Sequence, residues 1–128
     1  MFGGSNSIYG GKPIGDGGRF DPEANRWHPL TAKDAPSPRY GAASAWTGTE
    51  WWILGGAKER KDDALNDAFA WHPKKGWRAL PNLPEPRADA HAFATKDRVV
   101  LIGGRDAEGP CAGGFVWIKK PTSRPKPR

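Results

Sequence analysis

The sequence is poor in the residues that several chemistries require. Cys111 is its only cysteine, so no disulfide can form within the chain and no cysteine cage for a metal can be built. The three histidines are scattered and do not show metal-ligand spacing. No apolar run approaches the roughly 18 residues of a membrane-crossing helix. Met1-Phe2-Gly3-Gly4 has neither a charged start nor an apolar stretch behind it. No signal peptide is therefore read, and the expected location is cytoplasmic by default, although a longer parent could be secreted. Apolar residues make up only 37% of the chain.

Glycine, proline and tryptophan are plentiful. There are 17 Gly and 13 Pro in 128 residues, a load that fits either disorder or a turn-dense β fold. Seven Trp decide between them, because disordered chains lack bulky aromatics. The net charge of +6 raises the question of a polyanionic partner. Lys119, Lys120, Arg124, Lys126 and Arg128 carry five of those six charges in the last ten residues, with no acid among them. The basicity belongs to a Pro-rich tail over 119–128, read as extended and disordered. That placement argues against a nucleic-acid partner for the folded part, and no membrane partner is expected.

The strongest feature is an internal repeat. Trp51-Trp52-Ile53-Leu54-Gly55-Gly56 recurs as Val99-Val100-Leu101-Ile102-Gly103-Gly104, and Pro38-Arg39 recurs as Pro86-Arg87, both 48 residues on. Trp27 and Leu30 match Trp77 and Leu80 at 50, and Asp21-Pro22 matches His72-Pro73 at 51. Met1-Phe2-Gly3-Gly4 is a third, clipped copy of the apolar run with its diglycine. One full period reads as four short strands, about Arg39–Trp46, Trp51–Leu54, Asn66–Trp71 and Trp77–Leu80. The second of these is apolar on both faces and is expected to be buried on both. Its diglycine ends it where no side chain fits and the backbone must bend. The next period repeats the pattern over Arg87–Ala94, Arg98–Ile102 and Phe115–Ile118. The first supplies Gly18–Asp21 and Arg26–Leu30. Pro81, Pro84 and Pro86 exclude a helix between the periods.

Diglycine after an apolar strand, a Trp about twenty residues later and Pro-Arg before the next inner strand resemble kelch repeats. Gly17-Gly18-Arg19-Phe20-Asp21-Pro22-Glu23-Ala24-Asn25-Arg26-Trp27 and Pro38-Arg39-Tyr40-Gly41 are similar to bacterial kelch-repeat proteins in particular. Residues 1–118 carry the resemblance, with one departure, Ala88 where the preceding repeat has Tyr40. It implies an all-β, open β-propeller segment of about two and a half four-stranded blades, with blade parts about 1–30, 38–80 and 86–118. Both ends fall within a blade. The expectation is an incomplete propeller fragment, with a homo-oligomer that closes a ring through its exposed blade flanks as the alternative.

Kelch propellers serve mainly as binding platforms, so the resemblance implies a protein-interaction scaffold. Part of a kelch-framed carbohydrate-active enzyme, of the oxidase or sugar-acid isomerase type, is the competing reading. A copper oxidase needs a Tyr, His and Cys ligand set, and Tyr9 and Tyr40 with scattered His do not compose one. No cofactor, metal or catalytic residue is assigned. Alternate loops of a blade fall on opposite faces, and the long ones share a face: 5–16, 31–37, 57–64, 82–85 and 105–112. That face is expected to meet a protein partner. It holds Lys33-Asp34, Lys58-Glu59-Arg60-Lys61-Asp62-Asp63 and Arg105-Asp106, whose mixed signs suit a protein better than a polyanion. Binding residues are expected among Arg39, Arg87, Asp89, His91, Arg60 and Arg105. Arg39 and Arg87 stand at the mouths of successive inner strands, placed either to grip a carboxylate or to bond loop carbonyls. Asp89 and His91, two apart on one strand, should share a face; they could serve acid–base work, or His91 could be a hydrogen-bonded structural residue. Trp27, Trp71, Trp77 and Trp117 recur with the repeat and should pack blade on blade. The diglycines are not phosphate loops, because no helix and no Gly-Lys-Ser/Thr follows them.

Overall fold

The computed structural model describes residues 1–6, 11–59 and 63–119. Arg60, Tyr9 and the tail beyond Lys119 lie outside the described residues. Within them the chain is all β and contains no helix, hence none long and apolar enough to cross a membrane. The first blade holds β1 (Gly18–Asp21) and β2 (Arg26–Pro29), paired antiparallel, with Phe2 bridging to Gly17 beside them. The second is a complete four-stranded antiparallel sheet in chain order: β3 (Ala43–Trp46), β4 (Trp51–Leu54), β5 (Ala68–His72) and β6 (Gly76–Leu80). The third pairs β7 (His91–Ala94), β8 (Arg98–Ile102) and β11 (Gly114–Ile118). A small hairpin, β9 (Arg105–Asp106) with β10 (Gly109–Pro110), stands in the loop between β8 and β11.

Two strands differ from expectation in the same way. The inner strands start at Ala43 and His91 rather than at Arg39 and Arg87, because Gly41 and Asp89 adopt positive φ, 65° and 55°. The residues before them turn aside to pair with loops, Tyr40 with Ala57 and Ala88 with Arg105. Ala88 thus keeps the backbone bridge of its aromatic counterpart, and it is wholly buried. The β9–β10 hairpin occupies the expected 105–112 loop; two-residue strands leave no apolar alternation in the sequence.

The blades stack face on face. Ala43, Ala45, Leu54, Ala68, Ala70 and Leu80 of the second blade pack against Val99, Leu101, Phe115 and Trp117 of the third. Its other face turns Ile53, Trp71 and Trp77 toward Phe2 and Leu30 of the first. Burial on both sides is why β4 is apolar at every position. Small residues line β3, whose closest neighbouring element outside its own sheet is β7, while Trp and Leu fill the wider space farther out, as a tapered stack requires. Phe2 meets Trp77 edge-on at 5.3 Å, and Trp52 meets Trp117 at 6.2 Å.

Turns between outer strands repeat as well. Asp21 Oδ1 accepts the N–H groups of Glu23 and Ala24 at 3.0 and 3.1 Å. Those bonds, Ala24's foremost, hold its carboxyl below the usual carboxylate range. In the next blade His72 Nδ1 does the same work, accepting from Lys74 and Lys75 at 3.0 and 3.3 Å. Asn25 takes the positive φ that Gly76 takes one period later. Lys119, the first residue of the expected tail, is tethered: its Nζ donates to the carbonyls of Thr47 and Thr95 at 2.9 and 3.1 Å.

Candidate functional site

The connections after the second and fourth strand of each blade span 30–42, 55–67, 81–90 and 103–113, and they gather on one face. The opposite face has only the turns 22–25, 47–50, 73–75 and 95–97. On the long-loop face a cleft of about 350 Å³ opens between Pro13, Ser37, Pro38, Lys58, Glu59 and Asp63. It joins the first and second blades and carries both charge signs. A larger cleft, about 520 Å³, follows the outer flank of the first blade beside Met1, Ile14, Trp27 and Pro29.

Beneath that face lie the two buried arginines. Arg39 is fully buried, and each of its five N–H groups has an acceptor. Nε donates to the Ser37 carbonyl at 3.0 Å and Nη1 to the Gly55 carbonyl at 2.9 Å. Asp67 takes both terminal nitrogens, at 2.6 and 3.0 Å, and Ser37 Oγ takes the last donor at 3.0 Å. The guanidinium also lies over Phe69, 5.4 Å from the ring centre. Arg39's own carbonyl accepts the Gly4 N–H of the first blade at 2.9 Å. One residue therefore ties two diglycines together, its carbonyl to the preceding blade and its side chain to its own.

Arg87 repeats the clasp. Its carbonyl accepts Gly56 N–H at 2.8 Å, its Nη1 donates to the Gly103 carbonyl at 2.8 Å, and its guanidinium covers Phe115 at 4.9 Å. The remaining partners are fewer and weaker. Nη1 reaches the Gly113 carbonyl at 3.4 Å and Nη2 reaches Glu85 at 3.5 Å, while the buried Nε has no partner. Each arginine thus joins its own blade through the guanidinium and the preceding blade through its backbone carbonyl.

Asp89 and His91 are not brought together. Asp89, before β7, pairs with Arg105 Nε at 2.7 Å and bonds Gly41 through its backbone. His91 is exposed on the outer face of the third blade, opposite Ile102. The positive φ at Asp89 breaks the alternation that would have aligned the two. Trp71 and Trp77 are buried between blades, and Trp77 Nε1 donates to the Thr31 carbonyl at 3.0 Å. Trp117 packs half-buried on the second blade. Trp27 departs from that pattern: it is 58% exposed, and its ring pairs with Phe20 at 5.4 Å. The role of Asp67 was not read from sequence; its signal is a carboxylate directly before an apolar strand, 28 residues after Arg39. Among the described residues no three His, Cys, Asp or Glu converge as metal ligands.

No family model matches the chain. Among curated proteins it is 30% identical over 97 residues to Kelch-like protein 9 of Mus musculus, a stretch that takes in 73% of this chain and 15% of that protein. It is also 30% identical over 94 residues to Kelch-like protein 13 of Bos taurus and of Homo sapiens, 70% of this chain and 14% of each relative. The chain therefore spans about one seventh of the length of the curated relatives it matches. By that likeness, over sheets that stack face on face and lock through diglycine and arginine at the repeat period, the chain belongs to the kelch-repeat β-propeller proteins.

Proposed function

We propose that this chain is a non-catalytic protein-interaction scaffold that meets its partner through the long-loop face. The observation that carries the reading is the asymmetry of the two faces. Long connections with Lys58, Glu59, Asp63 and Arg105 crowd one side, and only three- and four-residue turns cover the other. Loops on a rigid stack are where binding groups are placed. The likeness to Kelch-like proteins supports the same reading, and the polar groups beneath the face are engaged in holding blades rather than arranged as an acid–base pair.

The test is site-specific photo-crosslinking in the native cell. A photoreactive residue at Lys58, on the long-loop face, should give a discrete, reproducible protein adduct. The same residue at Lys74, in the turn on the other face, should give none. Adducts at Lys74 but not at Lys58 would reverse the assignment of faces, and none at either would remove the scaffold reading.

A second reading is favoured by the two open flanks. Phe20 and Trp27 on the first blade, and Phe93, Ile102, Val116 and Ile118 on the third, are all exposed. They belong to the two kinds of face that meet at each internal blade contact. A second copy of the chain, docked head to tail, would bury both.

A further inference from the structure

Tryptophans form a row across the second blade. Trp46 opposes Trp51, Trp51 opposes Trp71 and Trp71 opposes Trp77 in the strand register. Directly opposed residues project from the same side of a sheet, so the whole row belongs to the side turned toward the first blade. That blade covers the row from its outer end. Phe2 and Leu30 pack on the cluster of Trp71 and Trp77, both buried, and Trp51 joins its edge. Trp46 lies outside the cluster and is 52% exposed. At the uncovered end a cleft of about 390 Å³ remains, with Arg19, Leu30, Trp46, Trp51, Trp71 and Pro73 on its walls. It opens at the short-turn end of the blade, because Trp46 and Trp51 flank the 47–50 turn and Pro73 starts the next one.

The chain itself delivers a segment to that end. The Lys119 N–H donates to the Asp97 carbonyl at 2.7 Å, and its Nζ donates to the carbonyl of Thr47, the residue after Trp46, at 2.9 Å. Beyond it run Lys120-Pro121-Thr122-Ser123-Arg124-Pro125-Lys126-Pro127-Arg128. In the polyproline II form that such a composition favours, these residues would span about 28 Å at about 3.1 Å each. Crossing the 47–50 turn from one side of the blade to the other takes about 10 Å, the thickness of one sheet layer. The remaining length is enough to lay Pro125 and Pro127 on Trp46 and Trp51.

The chemistry of groove and segment agrees. Proline-rich segments dock in grooves walled by aromatic rings, and their preset backbone loses little entropy on binding. Arg124, Lys126 and Arg128 would arrive as cations. Asp21 and Glu23 follow the lining residue Phe20 at the first-blade turn, and they outweigh the opposing charge of Arg19. We propose that the cleft between the first two blades is a proline-binding groove, occupied by residues 121–128 of the same chain. The groove lies at the end opposite the long loops, so the inference goes beyond the scaffold reading and does not rest on it.

The experiment places a nitroxide at the end of the tail in the full chain. Arg128→Cys carries the label in a Cys111→Ser background, and the tryptophan Nε1–H resonances of the ¹⁵N-labelled protein report its approach. Trp46 and Trp51 should lose their signals, while Trp52 and Trp117, packed on the blade's other side, keep theirs. Equal loss on both sides, or no loss at all, overturns the proposal. Pro125→Ser combined with Pro127→Ser should restore Trp46 and Trp51, and a loss that persists there means the groove does not hold the prolines. The same pair of substitutions in the unlabelled chain, with Cys111 intact, should shift Trp46 and Trp51 and leave Trp52 and Trp117 in place. That comparison decides even if the Cys111→Ser background folds poorly, and unmoved Trp46 and Trp51 resonances sink the idea. A mixture of nitroxide-bearing chains with ¹⁵N-labelled chains lacking the nitroxide separates the copies. Loss at Trp46 in the mixture gives the segment to a second copy. Saturable shifts on adding oligoproline, in a chain that shows no loss, give the groove to a partner's proline-rich segment. Either result overturns docking within the chain. The crosslinks at Lys58 bear on none of these readouts.

Discussion

Arg39 gathers five side-chain hydrogen bonds. Its charge is withdrawn from water, and what makes that tolerable is complete satisfaction of its donors, with Asp67 as counter-charge. Asp67 itself is about one third exposed, so the pair is only partly screened by protein and its contribution is moderate. Removing the charge of Asp67 while keeping its shape leaves a buried guanidinium uncompensated. Asp67→Asn is expected to lower stability by about 2 kcal/mol, and Arg39→Lys by more, on the order of 3 kcal/mol, because an ammonium cannot span Ser37, Gly55 and Asp67 together. Urea unfolding with unchanged m-values measures both. Variants as stable as the parent would mean that the five bonds contribute nothing beyond those water supplies. The same reasoning ranks the two clasps: Arg39 should be the more sensitive position, because its partner set is the fuller one.

At the scale of the element, the diglycine explains the repeat. Gly55 holds φ of 62°, and a side chain there would collide with the Arg87 carbonyl oxygen that docks beside it. Gly103 is its counterpart 48 residues later, with φ of 71° and nothing within 4 Å of an added Cβ. The two glycines thus separate conformational need from close approach. Gly103→Ala should cost only the left-handed backbone term, about 1 kcal/mol. Gly55→Ala should cost that plus the broken clasp, together about 3 kcal/mol or more. Thermal unfolding of the two variants side by side gives the difference directly, and equal shifts would show that the clasp carries no weight. Much of this level was legible beforehand. The period gave β4 and β8 to the residue, because four consecutive apolar positions before a diglycine leave little freedom in where a strand lies. The inner strands start later than expected, since the small-rich run Gly41-Ala42-Ala43-Ser44-Ala45 carries no alternation and hides the backbone turn at Gly41. The candidate site was less legible still. Arg39 and Arg87 were found by their offset, but which of them had a carboxylate partner depended on Asp67 and Gly113, which no shared motif links.

For the whole molecule, the distribution of exposed apolar groups is uneven. At both internal contacts a face equivalent to that of Trp71 and Trp77 meets one equivalent to that of Leu54 and Ala70. The first blade presents the former kind outward through Phe20 and Trp27, and the third presents the latter through Phe93, Ile102, Val116 and Ile118. Such patches on a monomer mark an association surface. The two are different surfaces, so copies would join heterologously and must either close a ring or extend. Two copies of about two and a half blades would supply about five, within the range of about four to eight in which propellers close. Light scattering coupled to size exclusion should therefore give a discrete dimer at tens of micromolar protein. Val116→Lys combined with Ile102→Glu charges one flank without touching the internal contacts and should return the monomer. Because both positions are half exposed or more, the variant should keep its strand content by circular dichroism. A parent chain that runs as a monomer at that concentration defeats the head-to-tail assembly, and open-ended growth instead of a dimer would show that the contact forms at an angle that does not close.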